Sequence, residues 1–274
     1  MTTTLRPAEP LQQHADGTCS RRYEVCVNGR HVGEIHLGTS PSLGASVARI
    51  AELRVDEPDR RRGRATVAAL AAEEVARGWG CVQIEAAVPA GAEAALRLAT
   101  VLGYAPRNRR MAKSLGDTPP GLPPGSHVRP MTPAEYDTWQ EYAREDYARD
   151  WIKRGVPEAA ARAKAHRDHE TLLPRGPETE GMLFSVLEHE GTRVGLLWVA
   201  LTDSGAYVYE VETAAAHRGR GHGRTLMLLA ERQAIGAGRT RLGLNVFADN
   251  VPAERLYESL GYETTERSFA KPLL

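Results

Sequence analysis

Arg218-Gly219-Arg220-Gly221-His222-Gly223-Arg224 is the stretch on which the reading of this chain turns. A β-rich run, Ala206-Tyr-Val-Tyr-Glu-Val-Glu-Thr213, leads into it, and an apolar-striped helix, Thr225 to Ile235, leads out. Three glycines at alternate positions let the backbone turn tightly and approach a ligand without side chains in the way. The turn delivers the chain into a helix N-terminus, where unpaired N–H groups and the positive end of the dipole make a seat for a pyrophosphate. The flanking arginines add bidentate, always-charged donors. Two other phosphate loops do not fit. A P-loop ends in Gly-Lys-Ser/Thr, which the chain lacks, and the dinucleotide fingerprint needs a third glycine where Arg224 stands.

The spacing Arg218-x-x-Gly221-x-Gly223 matches the Arg/Gln-x-x-Gly-x-Gly/Ala signature of acyl-CoA binding. Downstream, Asn245-Val-Phe-Ala-Asp-Asn250-Val-Pro-Ala253-Glu-Arg-Leu256-Tyr257-Glu-Ser-Leu260-Gly261-Tyr262 is similar to a second signature at the expected distance. On these two motifs the chain resembles the GNAT superfamily of N-acyltransferases. The resemblance covers roughly residues 22–114 and 127–274.

Two regions match because the sequence repeats. A shift of 158 residues lays Glu52–Tyr104 on Glu210–Tyr262 without a gap, with 18 identities in 53 positions. Among them are Glu52/Glu210, Arg60/Arg218, Gly63/Gly221, Gly78/Gly236 and Gly103-Tyr104/Gly261-Tyr262. The loop Asp59-Arg-Arg-Arg-Gly-Arg-Ala65 is the first copy, with Ala65 where Gly223 stands. The expected fold class is therefore α/β, as two tandem GNAT-like domains, each a mixed, mostly antiparallel sheet flanked by helices. Residues 19–114 form the first domain and 127–274 the second. Between them Leu115–Ser126 holds four prolines and three glycines in twelve residues, the composition of a linker.

Residues 1–20 read as an irregular lead-in. Tyr23–Val27 and His31–Leu37 flank Asn28-Gly29, the strongest short hairpin signal. A strand over Ala48–Val55 enters the first loop. The helix leaving that loop carries Val67, Leu70, Ala71 and Val75 on its apolar face and stops at Gly78. In the second repeat a long helix is read from Tyr136, Trp139, Tyr142, Tyr147 and Trp151, and another from Pro157 to Leu172. A hairpin over Leu183–His189 and Arg193–Leu201 follows, and Thr264–Pro272 is expected as the last strand of the second domain. The first copy leaves no room for the helical pair, which in the family builds much of the acceptor site.

Acyl transfer from a thioester to an amine needs a gripped cofactor, a neutral amine, a stabilised oxyanion and a protonated leaving thiolate. An amine of pKa near 10.4 is neutral in only about one part in a thousand at pH 7, so a base helps. Glu210 and Glu212, on the strand entering the loop, are the candidate bases, with a solvated strand face as the alternative for both. The resemblance implies acetyl-CoA as co-substrate, held by Arg218, Gly219, Arg220, Gly221, His222, Gly223, Arg224 and Asn250. It also implies backbone amides at Val211 and Thr213 for the oxyanion and pantetheine arm, if that strand splays from its neighbour. It implies Tyr257 as general acid, against the alternative of a core tyrosine. In the first repeat Val55, Arg60, Gly63 and Ala65 occupy the cofactor positions. There Ala99 replaces Tyr257 and Ala92 replaces Asn250, so that unit is expected to be inactive.

Composition narrows the rest. Lysine plus arginine and aspartate plus glutamate each number 35, for a formal net charge of +0, which argues against a nucleic-acid or anionic-membrane partner. Three cysteines without C-x-x-C spacing suggest neither disulfides nor zinc, and fit a cytoplasmic location. No signal peptide is read at the N-terminus. His166 and His169 are read as part of a solvated helix face, and no metal is expected. His217 and His222 flank the loop, as phosphate contacts or exposed residues. The favoured acceptor is the amine of a small molecule, and the acidic first helix of the second domain leans towards a cationic one. The alternatives are a protein N-terminus or lysine, and a non-catalytic acyl-CoA sensor.

Overall fold

The computed structural model describes residues 2–273. In chain order its strands and helices are β1 (Thr3–Pro7), β2 (Gln12–Gln13), β3 (Cys19–Val27), β4 (Arg30–Ser40), β5 (Gly44–Val55), α1 (Arg64–Gly78), β6 (Gln83–Pro89), α2 (Glu93–Val101) and β7 (Ala105–Ser114). The second repeat continues with β8 (Ser126–Pro130), α3 (Pro133–Lys153), α4 (Glu158–Leu172), β9 (Met182–His189), β10 (Thr192–Thr202), β11 (Gly205–Thr213), α5 (His222–Gly236), β12 (Arg241–Phe247), α6 (Val251–Ser259) and β13 (Glu263–Pro272). Both hairpins fall where turn chemistry places them. Asn28 and Gly29 take φ of 49° and 83°, and Glu190 and Gly191 take 48° and 76°. Positive φ at both central residues matches the twist of the flanking strands.

Two compact units result. One comprises the residues up to Arg107, Asp146–His166 and those from Glu266 onward; the other comprises Asn108–Glu145 and Arg167–Thr265. In the first unit the strand order is β1-β3-β4-β5-β6-β13, antiparallel except for β5 with β6. In the second it is β7-β12-β11-β10-β9-β8, antiparallel except for β11 with β12. Each unit is thus a mixed α/β layer of the same topology.

The units do not follow the boundaries of the repeats. Glu266–Pro272 of β13 pair with β6, in the first unit, although Thr264–Pro272 was expected to finish the second domain. Conversely, Asn108–Ser114 of β7 pair with β12, in the second unit. Each repeat therefore gives its last strand to the other's sheet. The same ion pair anchors both strands. Lys271 Nζ lies 2.7 Å from Glu73 Oε2, and Lys113 Nζ lies 2.8 and 2.9 Å from the Glu231 oxygens. Both glutamates are buried. Because the repeat maps Glu73 on Glu231 and Lys113 on Lys271, each strand meets a complementary site in either copy. Sequence periodicity is blind to that choice.

Three other expectations change. The lead-in holds β1, whose Thr3–Pro7 pair with Tyr23–Val27 of β3, with Leu5 packed on the first core. On α1 the buried face is Ala68, Ala69, Ala72, Glu73 and Ala76, while Val67 and Leu70 are about 40% exposed. Small residues bring a helix closer to a sheet than branched ones, so the alanines and not the larger residues face inward. Finally, Asp146–His166, the far part of the second repeat's helical pair, belong to the first unit, while the first repeat supplies no such pair of its own. Among the described residues no helix is long and apolar enough to cross a membrane.

Candidate active site

The site in the second unit begins with a bulge. Trp198 of β10 faces Glu210, and Val199 faces Val208, so Tyr209 is one residue too many on β11. A bulge bends its strand and adds twist. Beyond it β11 parts from β12: the parallel ladder covers Ala206–Val208 alone, while pairing with β10 continues to Thr213. Ala214 N–H donates to Val194 O at 2.9 Å. Alternation along an antiparallel strand then turns the Glu212 N–H to β10 and leaves those of Val211 and Thr213 facing the opened side.

The loop follows directly. A short 3-10 turn, Ala215–His217, leads to Arg218, whose Nε donates to Thr213 O at 3.1 Å and fixes the loop to the strand end. Gly219 and Gly221 take φ of 76° and 86°, values that a side chain would strain, and a Cβ at either would meet nothing within 4 Å. Gly221 is the N-cap of α5 and offers no side chain to the amides behind it. Those amides and the open space beside them fit a pyrophosphate. A Cβ on Gly223 would lie 3.3 Å from Leu256 Cδ2, so a side chain there would press on α6.

Other candidates are placed less simply. Arg220 is exposed. Arg224 is exposed too, with its guanidinium donating to Ser259 Oγ at 2.5 Å. The Asn250 side chain accepts from Ala253 N–H at 3.3 Å and caps α6. His222 is buried, not exposed, with its ring 5.0 Å from His189 and 6.2 Å from His217. Desolvation first, then the neighbouring His189, His217 and Arg220, holds its imidazole below the usual histidine range. His166 is exposed, but His169 is buried against Trp139 and Trp198, which corrects the reading of both as one solvated face.

Glu210 and Glu212 share the face carrying Leu196 and Trp198, by register. Their surroundings differ. Trp139 of α3 donates its indole N–H to Glu210 Oε2 at 2.9 Å. Glu212 opens on a cleft of about 350 Å³ lined by Glu135, Trp139, Tyr142, Arg193 and Leu196. Nothing in the sequence paired Trp139 with Glu210, 71 positions apart. Of the acidic side chains of α3, Glu135 lines the cleft and is bound bidentately by Arg129 at 2.7 and 2.8 Å; Asp146 and Asp150 pair with Arg149 and Arg154.

Tyr257 lies on α6, 9% exposed, in the second core with Val211 and Leu256. Desolvation pushes its phenol up to about 12.

In the first unit much of this frame recurs. The register shift between His36 and Leu37 leaves Ala51 extra on β5, at the position of Tyr209. The β5–β6 ladder stops at Ile50, and Asp56 N–H donates to Val32 O at 2.9 Å, so the amides of Leu53 and Val55 face the gap. Arg60 Nε donates to Val55 O at 2.9 Å, Gly63 takes φ of 73° as N-cap of α1, and Arg61 takes 58° where Gly219 takes 76°. Ala65 stands on the first turn of α1. The phenol is missing, since Ala99 is packed in the core there.

A splayed strand pair followed by a glycine loop at a helix N-terminus, present twice, defines a tandem acyl-CoA-type fold. The family model described as "Acetyltransferase (GNAT) family" matches residues 3–104 and 136–262, and the chain belongs to that family, whose members use acetyl-CoA as co-substrate. A mycothiol acetyltransferase of Frankia casuarinae is 31% identical over 95% of this chain and 77% of its own length. An uncharacterized N-acetyltransferase of Bacillus subtilis, YycN, is 30% identical over 53% of this chain and 97% of its own. Among solved structures, the tandem GNAT protein from the clavulanic acid biosynthesis pathway shares the fold at 20% identity and a TM-score of 0.53, covering 96% of this chain and 85% of that one.

Proposed function

We propose that the second unit transfers an acetyl group from acetyl-CoA to the amine of a small molecule. The observation that carries this reading is the parting of β11 from β12 at Tyr209, with the Val211 and Thr213 amides turned to the gap and the loop at Arg218–Arg224 continuing from it. The relatives named as mycothiol acetyltransferases support a small acceptor. So does the cleft, at the low end of the ~300–1,000 Å³ usual for small-molecule pockets.

When bound, the thioester supplies an activated acetyl group. The amine nitrogen bonds to the acyl carbon, the carbon–sulfur bond breaks, the amine gives up one proton and the departing thiolate gains one. Glu212, open to the cleft, takes the amine proton. Glu210, already accepting the Trp139 indole N–H, orients α3 over the strand. The Val211 and Thr213 amides stabilise charge developing on the acyl oxygen. Tyr257, neutral throughout the physiological range, donates a hydrogen bond to the leaving sulfur, whose proton is then taken from solvent. The first unit keeps the loop but has Ala99 in place of that phenol, and serves without turnover. A screen of small amines against the purified full chain, following free CoA thiol, tests the reading; no thiol release above hydrolysis with any amine would refute it.

A further inference from the structure

The cleft is lined by groups of opposite charge, Glu212 and Arg193, and each is available to a ligand. The Glu212 carboxylate makes no hydrogen bond or ion pair among the described residues. Arg193 also lines the cleft, on β10 three positions before Leu196, the partner of Glu212 in the ladder. Regular strand would span about 10 Å over three residues, and the bulge between Arg193 and Gly195 shortens that distance. Its nearest carboxylate is Glu135, 3.7 Å from Arg193 Nη1, beyond hydrogen-bonding distance.

Glu135 is moreover fully used by others. Its two oxygens receive Arg129 Nη1 and Nη2 at 2.7 and 2.8 Å, and the N–H and hydroxyl of Thr132 at 2.9 and 3.0 Å. Those bonds hold its carboxyl at about 2, mainly through Arg129. An ion pair without a hydrogen bond at a half-exposed site contributes little, so Glu135 does not tie Arg193 down. The guanidinium keeps its donors for what enters the cleft, and its planar fork suits a carboxylate or a phosphate. Leu196 and the rings of Trp139 and Tyr142 give the cleft apolar lining beside these charged groups.

We infer that the acceptor is a small amine that also bears an acid group, with its nitrogen at Glu212 and its carboxylate or phosphate at Arg193. Arg193 is then the residue that sets specificity. The inference rests on the proposed acetyl transfer and adds the chemistry of the acceptor's far end.

The test uses three amines of matched length: 6-aminohexanoate, 6-aminohexyl phosphate and the neutral 6-amino-1-hexanol. Acetylation is followed by CoA thiol release, and binding to the CoA-loaded chain by calorimetry. The wild-type chain should prefer at least one acid-bearing amine over the alcohol by tenfold or more in kcat/KM, and the stronger of the two identifies carboxylate or phosphate. Arg193→Glu should abolish or reverse that preference, mostly through KM, while the affinity for acetyl-CoA stays unchanged. Equal use of all three amines by the wild-type chain, or a preference that survives Arg193→Glu, would overturn the inference and leave acetyl transfer standing. If no amine turns over, calorimetry decides alone: acid-bearing amines that bind no better than the alcohol refute the role of Arg193, and the failed turnover counts against the transfer itself.

Discussion

Replacing Tyr257 with Phe deletes one oxygen and keeps the ring that fills the second core. The phenol donates no hydrogen bond to another described side chain, so stability should change by less than about 1 kcal/mol. The rate should change far more. With the phenol pushed up to about 12 by burial, it stays protonated at every pH at which the enzyme is assayed. Full proton transfer from such a group to a thiolate near 8.5 is uphill by roughly 3.5 units, or about 5 kcal/mol. Its contribution is therefore a hydrogen bond that strengthens as charge builds on sulfur. Losing one positioned donor of this kind costs about 10²-fold, at the lower end of the range for general acids. The assay is steady-state thiol release by Tyr257→Phe with an amine that the wild-type chain accepts. A drop in kcat with little change in the KM for acetyl-CoA is expected, and no basic limb from this group should appear below about pH 11. Wild-type kcat in Tyr257→Phe would refute the acid role and leave Tyr257 as a core residue.

Gly221→Val places a branched side chain at φ of 86°, and it should weaken acetyl-CoA binding to the second unit by about 2 kcal/mol or more in calorimetry, as should Arg218→Glu. The double variant Arg60→Ala with Gly63→Val should leave turnover per folded molecule largely intact, because Ala99 offers no proton; a folded but inactive double variant would give the first unit a catalytic part. Lys113→Met leaves the Glu231 carboxylate buried without its cation, and urea unfolding should show a loss of about 3–5 kcal/mol. Adding Glu231→Leu should recover most of that loss, and a Lys113→Met chain as stable as wild type would remove the pair as the anchor of β7. Alkaline stability has a defined sign: Tyr257 ionises near 10 when unfolded and near 12 when folded, so its share is full below pH 10 and is lost between pH 10 and 12, on the order of 3 kcal/mol; Tyr257→Phe should lose correspondingly less over that window in denaturant titrations.

Features set within a few residues were legible in the sequence. The Asn28-Gly29 and Glu190-Gly191 hairpins, the glycine loop before α5 and the stop of α1 at Gly78 all depend on local backbone conformation, which residue type controls directly. The repeat was legible as well, because a constant offset of 158 residues aligns 18 identities in 53 positions without a gap. What the sequence left open depends on pairing across distance. It showed a strand at the end of the second repeat, but not that β13 pairs with β6 and β7 with β12, since Glu73 and Glu231 offer the same buried carboxylate to either lysine. It gave an apolar stripe for α1 but not the close approach that turns the alanines inward. It placed Glu210 and Glu212 on one strand face, yet only packing of α3 ties the first to Trp139 and opens the second to a cleft with Arg193. Burial of His222 and His169 likewise comes from neighbours far along the chain, because the environment of a side chain is decided by what folds against it and not by what precedes it.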